Sequence, residues 1–305
     1  MSIEIKQQKL HEIIMEHLIH FDFIDSCYVE AITCLIEVAD TDETALFYLA
    51  TLSIVDCLSL NVDSILARIE QMEALSAEAK KWEINPYEAL KLIYLKTKGI
   101  KLANDDVLKK IEILKKAETD FIYEELPTVK ETLNYLLTFL VNLFYGNQIE
   151  ATKITKTILN RHPKIFKRRT SFSVYLLNLL AAANARTNPG KKTDQMEKIL
   201  TDLFDDEMKR VNPTLYAQSL LLLLKAEQSK NKKDFTKALC YAEECMKIYQ
   251  RNDLAINLLL TYDVFIAVYK AMENIDKVTE YYDLKLGLLD DKQAELPMFK
   301  SPPII

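Results

Sequence analysis

Glycine is almost missing: four residues in a chain of 305. Doubly wound sheets, barrels and phosphate-cradling loops need glycine at tight turns and at close backbone approaches, and four cannot supply them. No G-x-G-x-x-G and no G-x-x-x-x-G-K-[ST] occurs, which excludes nucleotide-binding loops of those types. Cysteine is sparse and odd in number. Cys27, Cys34, Cys57, Cys240 and Cys245 form no disulfide framework, so a reducing, cytoplasmic setting is expected. Long apolar runs are lacking too; none approaches the ~20 residues that span a bilayer. The opening stretch, "MSIEIKQQKLHEIIMEHLIH", is charged and amphipathic, unlike a secretory signal. Nor is there a surplus of positive charge. A net charge of −6 and a pI near 5.5 count against nucleic-acid binding by the surface as a whole. Only a local basic patch could overcome that.

What is present is a helix-forming diet. Apolar residues make up 49% of the chain and charged residues 28%, enough for a full core and a solvated surface. Pro86, Pro127, Pro163, Pro189 and Pro213 fall between apolar-periodic segments, never inside one. Asn85-Pro86 and Asn212-Pro213 read as a helix cap followed by proline at the first helical position. Gly99 and Gly146 stand where a helix-ending residue belongs. In "DFTKALCYAEECMKIY", Phe235, Ala238, Leu239, Ala242 and Met246 trace one face at helical spacing. No stretch sustains the alternation of a strand. Polar turns near Asn61, Lys101, Asn147, Asn188, Asn231 and Asn274 are spaced by 40, 46, 41, 43 and 43 residues. An irregular period of this length marks stacked helical hairpins. The expectation is an all-α, right-handed solenoid of about seven antiparallel helix pairs over residues 1–290, with an extended tail over 291–305.

The segment "NKKDFTKALCYAEECMKIYQRND" resembles a tetratricopeptide-like repeat. "DFTKAL" and Ala242 fall where that repeat keeps small residues for helix-to-helix contact. The longer, degenerate units resemble the peptide-binding repeat domain of Gram-positive pheromone receptors, the Rap, PlcR, PrgX and Rgg group. That resemblance implies a concave groove in which side-chain amides on inner helices grip the backbone of a short extended peptide. Many members of that group carry an N-terminal helix-turn-helix. The stretch "MSIEIKQQKLHEIIMEHLIHFDFIDSCYVE" has neither its turn nor its basic recognition helix, so direct DNA binding is not implied.

Two constellations fit a groove. The first is a set of amides, Asn134, Asn142, Asn178, Asn184 and Asn257, each on an apolar helix pattern. Asn142 and Asn184 lie 42 residues apart, one repeat, so they should share one concave face. An amide side chain both donates and accepts, which suits a peptide backbone, and asparagine is a mediocre helix former. Ordinary surface or capping roles are the competing reading. The second is a basic block, residues 151–170, with Lys153, Lys156, Arg161, Lys164, Lys167, Arg168 and Arg169 and no acid. Arginine grips carboxylates in two-pronged fashion, so Arg161, Arg168 and Arg169 are candidates for an acidic group or free carboxylate; a solvated loop is the bland alternative, and nucleic acid a weaker third reading because aromatic interleaving is limited to Phe166 and Phe172. Tyr262, Phe265, Tyr269, Tyr281 and Tyr282 form an aromatic group, read first as packing and second as groove lining by a residue such as Tyr262.

Other clusters weigh less. Cys240 and Cys245 sit five apart on a helix and therefore point in different directions. His17 and His20 beside Asp22 and Asp25 are read first as core or surface histidines, with metal binding or acid–base chemistry as the lesser alternative. No nucleophile–base pairing, metal set or cofactor loop emerges, and the sequence is read as non-enzymatic and cofactor-free. The leading expectation is a binding protein whose groove takes a peptide or protein segment, in a regulatory or adaptor role, with homo-oligomerisation left open. One rival is a structural subunit of a larger helical assembly, which a broad exposed apolar flank would favour. The other is a helical enzyme, which a buried carboxylate or histidine cluster would favour.

Overall fold

A computed structural model describes residues 26–81, 85–100, 133, 137, 140, 141, 144, 145, 222, 223, 225–227 and 229–300. Among the described residues every regular element is helical and none is a strand. The chain folds as two compact units: residues 1–57 with 61–164, and residues 165–305 with Leu58–Leu60. The division falls inside the stretch read from sequence as one repeat domain.

The first unit contains α1 (Ser26–Glu37), α2 (Asp42–Leu58), α3 (Val62–Ala74), the single turn α4 (Ser76–Ala79) and α5 (Pro86–Thr97). The sequence explains their starts. Asn61 caps α3, its side chain accepting from the Ser64 backbone N–H at 3.2 Å. Asn85 caps α5 by accepting from Tyr87 and Glu88, with Pro86 at the first helical position, as expected. Gly99 takes φ 68° and ends α5, again as expected. α3 packs on α5 and buries Val62, Ile65, Ile69 and Met72, a stripe of helical period. Leu133, Leu137, Leu140, Val141 and Phe144 are helical and buried, continuing the same core pattern. The Tyr145 hydroxyl donates to the Leu92 carbonyl at 3.1 Å, and Lys96 lies 5.3 Å over the Tyr145 ring.

The second unit contains α6 (Phe235–Arg251), α7 (Ala255–Ala271), α8 (Ile275–Asp291) and the single turn α9 (Pro297–Lys300). Its corners are regular. Lys233, Asp253, Glu273 and Gln293, each 20 residues after the last, take φ of 61°, 52°, 57° and 51°. The next N–H in each case bonds a carbonyl five residues back: Asp234 to Ser229, Leu254 to Tyr249, Asn274 to Tyr269 and Ala294 to Leu289, at 2.9–3.1 Å. This closure satisfies carbonyls that the helix end leaves open. The residue that closes one helix is also the cap of the next, as at Asp234, Leu254 and Asn274. Corners this short turn the chain straight back, so α6 packs on α7 and α7 on α8.

Burial follows from that order. α7 is apolar on all sides and buried on nearly all, from Ala255 through Val268. α6 buries one stripe, Ala238, Ala242, Cys245 and Tyr249. The small Ala238 and Ala242 sit fully buried in it, where close helix approach needs them. Phe235, Leu239 and Met246, expected on the same face, are only half-buried. α8 buries Val278, Tyr281, Lys285 and Leu289. The segment after α8 does not leave the body: Ala294, Leu296 and Phe299 are all buried and α9 packs on α8.

Gly287 stands on the exposed side of α8, and a methyl group there would meet nothing within 4 Å. Gly287→Ala should therefore raise stability by about 0.5–1 kcal/mol, the helix-propensity gap between the two residues. Urea denaturation reads this as a higher midpoint at unchanged slope. An unchanged or lower midpoint would show that α8 is not a continuous helix there.

Candidate functional site

Of the residues singled out from sequence, Asn134, Asn142, Asn178, Asn184, Arg161, Arg168 and Arg169 lie outside the described residues, as do His17, His20, Asp22 and Asp25. Asn257 and Tyr262 lie within them, both on α7 and both 4% exposed. Five positions apart on a helix, they point to different sides of it.

Asn257 is in the first turn of α7. Its backbone carbonyl accepts the Thr261 hydroxyl at 2.8 Å, a local bond that leaves the side chain uninvolved. Thr261 in turn lies 3.7 Å from the buried Cys245 Sγ of α6. The side-chain oxygen Oδ1 of Asn257 is buried and, among the described residues, has no hydrogen-bond partner. A buried acceptor left open costs about 1–3 kcal/mol, and native structures keep few of them. Cys245, alongside, is not a reactive centre: burial pushes its thiol up to about 12. Cys240 is exposed, so the two thiols do face apart.

Tyr262 belongs to packing between α7 and α8. Its ring lies 6.0 Å from that of Tyr281, which stacks on Phe265 at 4.2 Å and 8° and on Tyr269 at 5.7 Å. The rings of Phe265, Tyr269 and Tyr281 are near-parallel, and Tyr262 is tilted at 52° to Tyr281. Burial raises the Tyr262 hydroxyl's pKa, against a lowering bond with the Gln250 side chain. Burial, with added repulsion from Tyr269, Glu280, Glu243 and Tyr262, pushes Tyr281 to about 12, so neither phenol ionises at neutral pH.

Two polar pairs were not visible in the sequence. Lys285 lies in the apolar stripe of α8, 4% exposed, with its Nζ 2.5 Å from Asp263 Oδ1 of α7 and 5.3 Å over the Phe299 ring. In the first unit, Asp56 of α2 accepts from Arg68 Nε of α3 at 3.3 Å, and Arg68 also donates to Gln71 at 2.9 Å. Burial lifts the Asp56 carboxyl to about 6 in spite of the Arg68 charge. A lysine at a stripe position and an aspartate inside an apolar helix were the available signals for the first pair. Neither pair is a metal site; among the described residues no group of His, Cys, Asp and Glu could hold an ion. Among them also, no helix is long and apolar enough to cross a membrane.

The chain matches no family model, no curated protein and no solved structure.

Proposed function

We propose that the protein is a non-enzymatic helical-repeat protein, tetratricopeptide-like in its stacking, that binds a peptide or protein segment through side-chain amides on its inner helices. The observation that carries this reading is the 20-residue recurrence of the corners at 233, 253, 273 and 293, which supports the repeat architecture. Asn257 is interior, so its open acceptor would serve a ligand only where the packing around α7 opens to admit one. In the second unit Asn178 and Asn184 are the proposed companions of Asn257, Tyr262 supports the helix that carries it, and Arg168 and Arg169 would receive an acidic group or free carboxylate of the ligand. Asn134, Asn142 and Arg161 are proposed ligand contacts of the first unit by itself. The described large apolar side chains that are exposed, Val38, Leu66, Ile100, Met272, Ile275 and Leu284, are spread along the chain, which favours this reading over a structural subunit.

Asn257→Leu separates a packing role of the amide from a recognition role. It should raise stability by about 1–2 kcal/mol, because an unpaired buried acceptor is replaced by a shape-matched apolar group, and it should weaken ligand binding at the same time. Stability is read by urea denaturation. Binding is read with linear peptides selected on the wild-type protein from a displayed library, each measured in free-acid and amidated form. If peptides selected in this way bind Asn257→Leu as tightly as wild type, the amide has no role in recognition. If no peptide is enriched at all, peptide binding is the wrong function.

A further inference from the structure

At α6 and α8 the residue three places after the cap has its backbone N–H satisfied by the cap's side chain. Asp234 accepts from the Lys237 N–H at 3.3 Å, and Asn274 accepts from the Lys277 N–H at 3.2 Å. At α7 the cap is Leu254, which offers no side-chain acceptor, and the corresponding N–H is that of Asn257. Among the described residues neither the Ile256 N–H nor the Asn257 N–H has a hydrogen-bond partner. This end of the helix is interior: Leu254, Ala255, Ile256 and Asn257 are each 1–4% exposed. A helix end buried without a cap leaves donors open where water is scarce. The open acceptor of Asn257 belongs to the same end. Side chains of a helix lean toward its N-terminus, and an amide three places after the cap ordinarily reaches back to the cap's own N–H. That N–H is already taken, because Leu254 donates to the Tyr249 carbonyl at 3.1 Å as the corner closes. Asn257 Oδ1 is thereby left without a partner at an end that also holds two open donors.

We propose that the N-terminal end of α7 holds a primary carboxamide of the bound peptide, the side chain of a glutamine or asparagine. The inference rests on the peptide reading and names the group that Asn257 recognises. The carboxamide C=O accepts from the Ile256 and Asn257 N–H groups, and its N–H donates to Asn257 Oδ1. A carboxylate only accepts and would leave the Asn257 oxygen unanswered. An ammonium only donates and would meet the positive end of the helix dipole. A hydroxyl has both functions on a single atom, whereas the carboxamide presents them on two neighbouring atoms, as the backbone donors and the side-chain acceptor do here. The corner that leads into this end is lightly held. Asp253, directly before Leu254, keeps 66% of its side chain in solvent and is tied to Lys292 of the next corner at the same end of the unit, at 2.6 Å. An ion pair this exposed yields readily, and local opening of such a corner uncovers the start of α7.

The test uses the full chain and small probes of similar size: propionamide, propionate, propylamine and propanol. Binding is read from the backbone amide resonances of Ile256 and Asn257. Propionamide should shift both saturably and bind at least about tenfold more tightly than the other probes, because a buried site built for a paired acceptor and donor rejects a group that cannot supply both in place. In Asn257→Leu the saturable shift at Ile256 should be lost. No saturable shift with propionamide, or equal binding of any other probe, overturns the proposal, and that comparison needs no variant. Failure of the peptide reading looks different. Peptides that are enriched from the library and bind unchanged after every glutamine and asparagine in them is replaced by leucine overturn this inference and leave that reading standing. Saturable propionamide binding with no peptide enriched keeps the carboxamide site and removes the peptide.

Discussion

Replacing Asp263 with alanine lowers the unfolding free energy by about 3 kcal/mol, and adding Lys285→Met to the same chain returns most of that loss. The size follows from where the two charges sit. Lys285 is 4% exposed on the buried stripe of α8, and its Nζ has Asp263 Oδ1 at 2.5 Å. Without Asp263 the Phe299 ring still attracts the ammonium, but it cannot accept a hydrogen bond as a carboxylate does. A buried ion whose partner is removed typically costs about 3–5 kcal/mol, and a surface pair no more than about 1 kcal/mol. The two ends are not equivalent. Asp263 keeps 31% of its side chain in solvent, so Lys285→Met alone leaves a carboxylate that water can still solvate. That single variant should change stability by less than about 1 kcal/mol, because methionine fills the lysine stem's place with an apolar chain. Urea denaturation of the two single variants and the double variant gives the whole cycle. An Asp263→Ala loss under about 1 kcal/mol would mean that Lys285 reaches solvent and that the pair is a surface contact.

That pair also shows why part of the structure was readable in the sequence and part was not. Positions whose side chain performs a local task stood out. Asn61, Asn85 and Asn274 each accept a backbone N–H two or three residues on, and Pro86 and Gly99 hold the backbone angles their types favour. The corner between α6 and α7 gave no such sign. Its left-handed residue is Asp253, and its cap is Leu254, which makes no side-chain bond. Lys233, Glu273, Gln293 and Leu60 hold left-handed angles in the same way, against a local cost of about 1–2 kcal/mol each. Carbonyl closure through the backbone and helix packing offset those angles, and neither leaves a residue-type signal at the corner. The scarcity of glycine did point to helices, but not to corners this tight made without it. Recognition residues were harder still. α7 is apolar all round, so its periodicity cannot tell a groove-facing position from a core-facing one. Asn257 and Tyr262 were chosen for their chemistry, and both prove to be interior. Lys285 and Asp263 were passed over because lysine and aspartate normally mark a solvated face.

Asp56 gives the first unit its own pH signature. The carboxyl is mostly buried, with its side chain 14% exposed, and desolvation outweighs the Arg68 charge and hydrogen bond beside it. Its pKa stands at about 6 in the fold against an ordinary 3.8. The folded state therefore holds its proton more tightly than the unfolded chain does. The stabilisation from that proton is complete below about pH 4 and is lost as the pH rises through about 6. A gap of roughly two pKa units corresponds to about 3 kcal/mol. Asp56→Asn keeps the shape and an acceptor for Arg68 but cannot titrate. The stability of wild type minus that of Asp56→Asn should consequently be flat above pH 7.5, rise by about 2–3 kcal/mol as the pH falls from 7 to 4, and flatten again below. Subtraction cancels the other carboxylates, which titrate in both chains. Denaturation at half-unit pH steps measures the curve. A difference that stays level across that range, or that falls on acidification, would show that Arg68 holds Asp56 ionised and that the pair behaves as an ordinary ion pair.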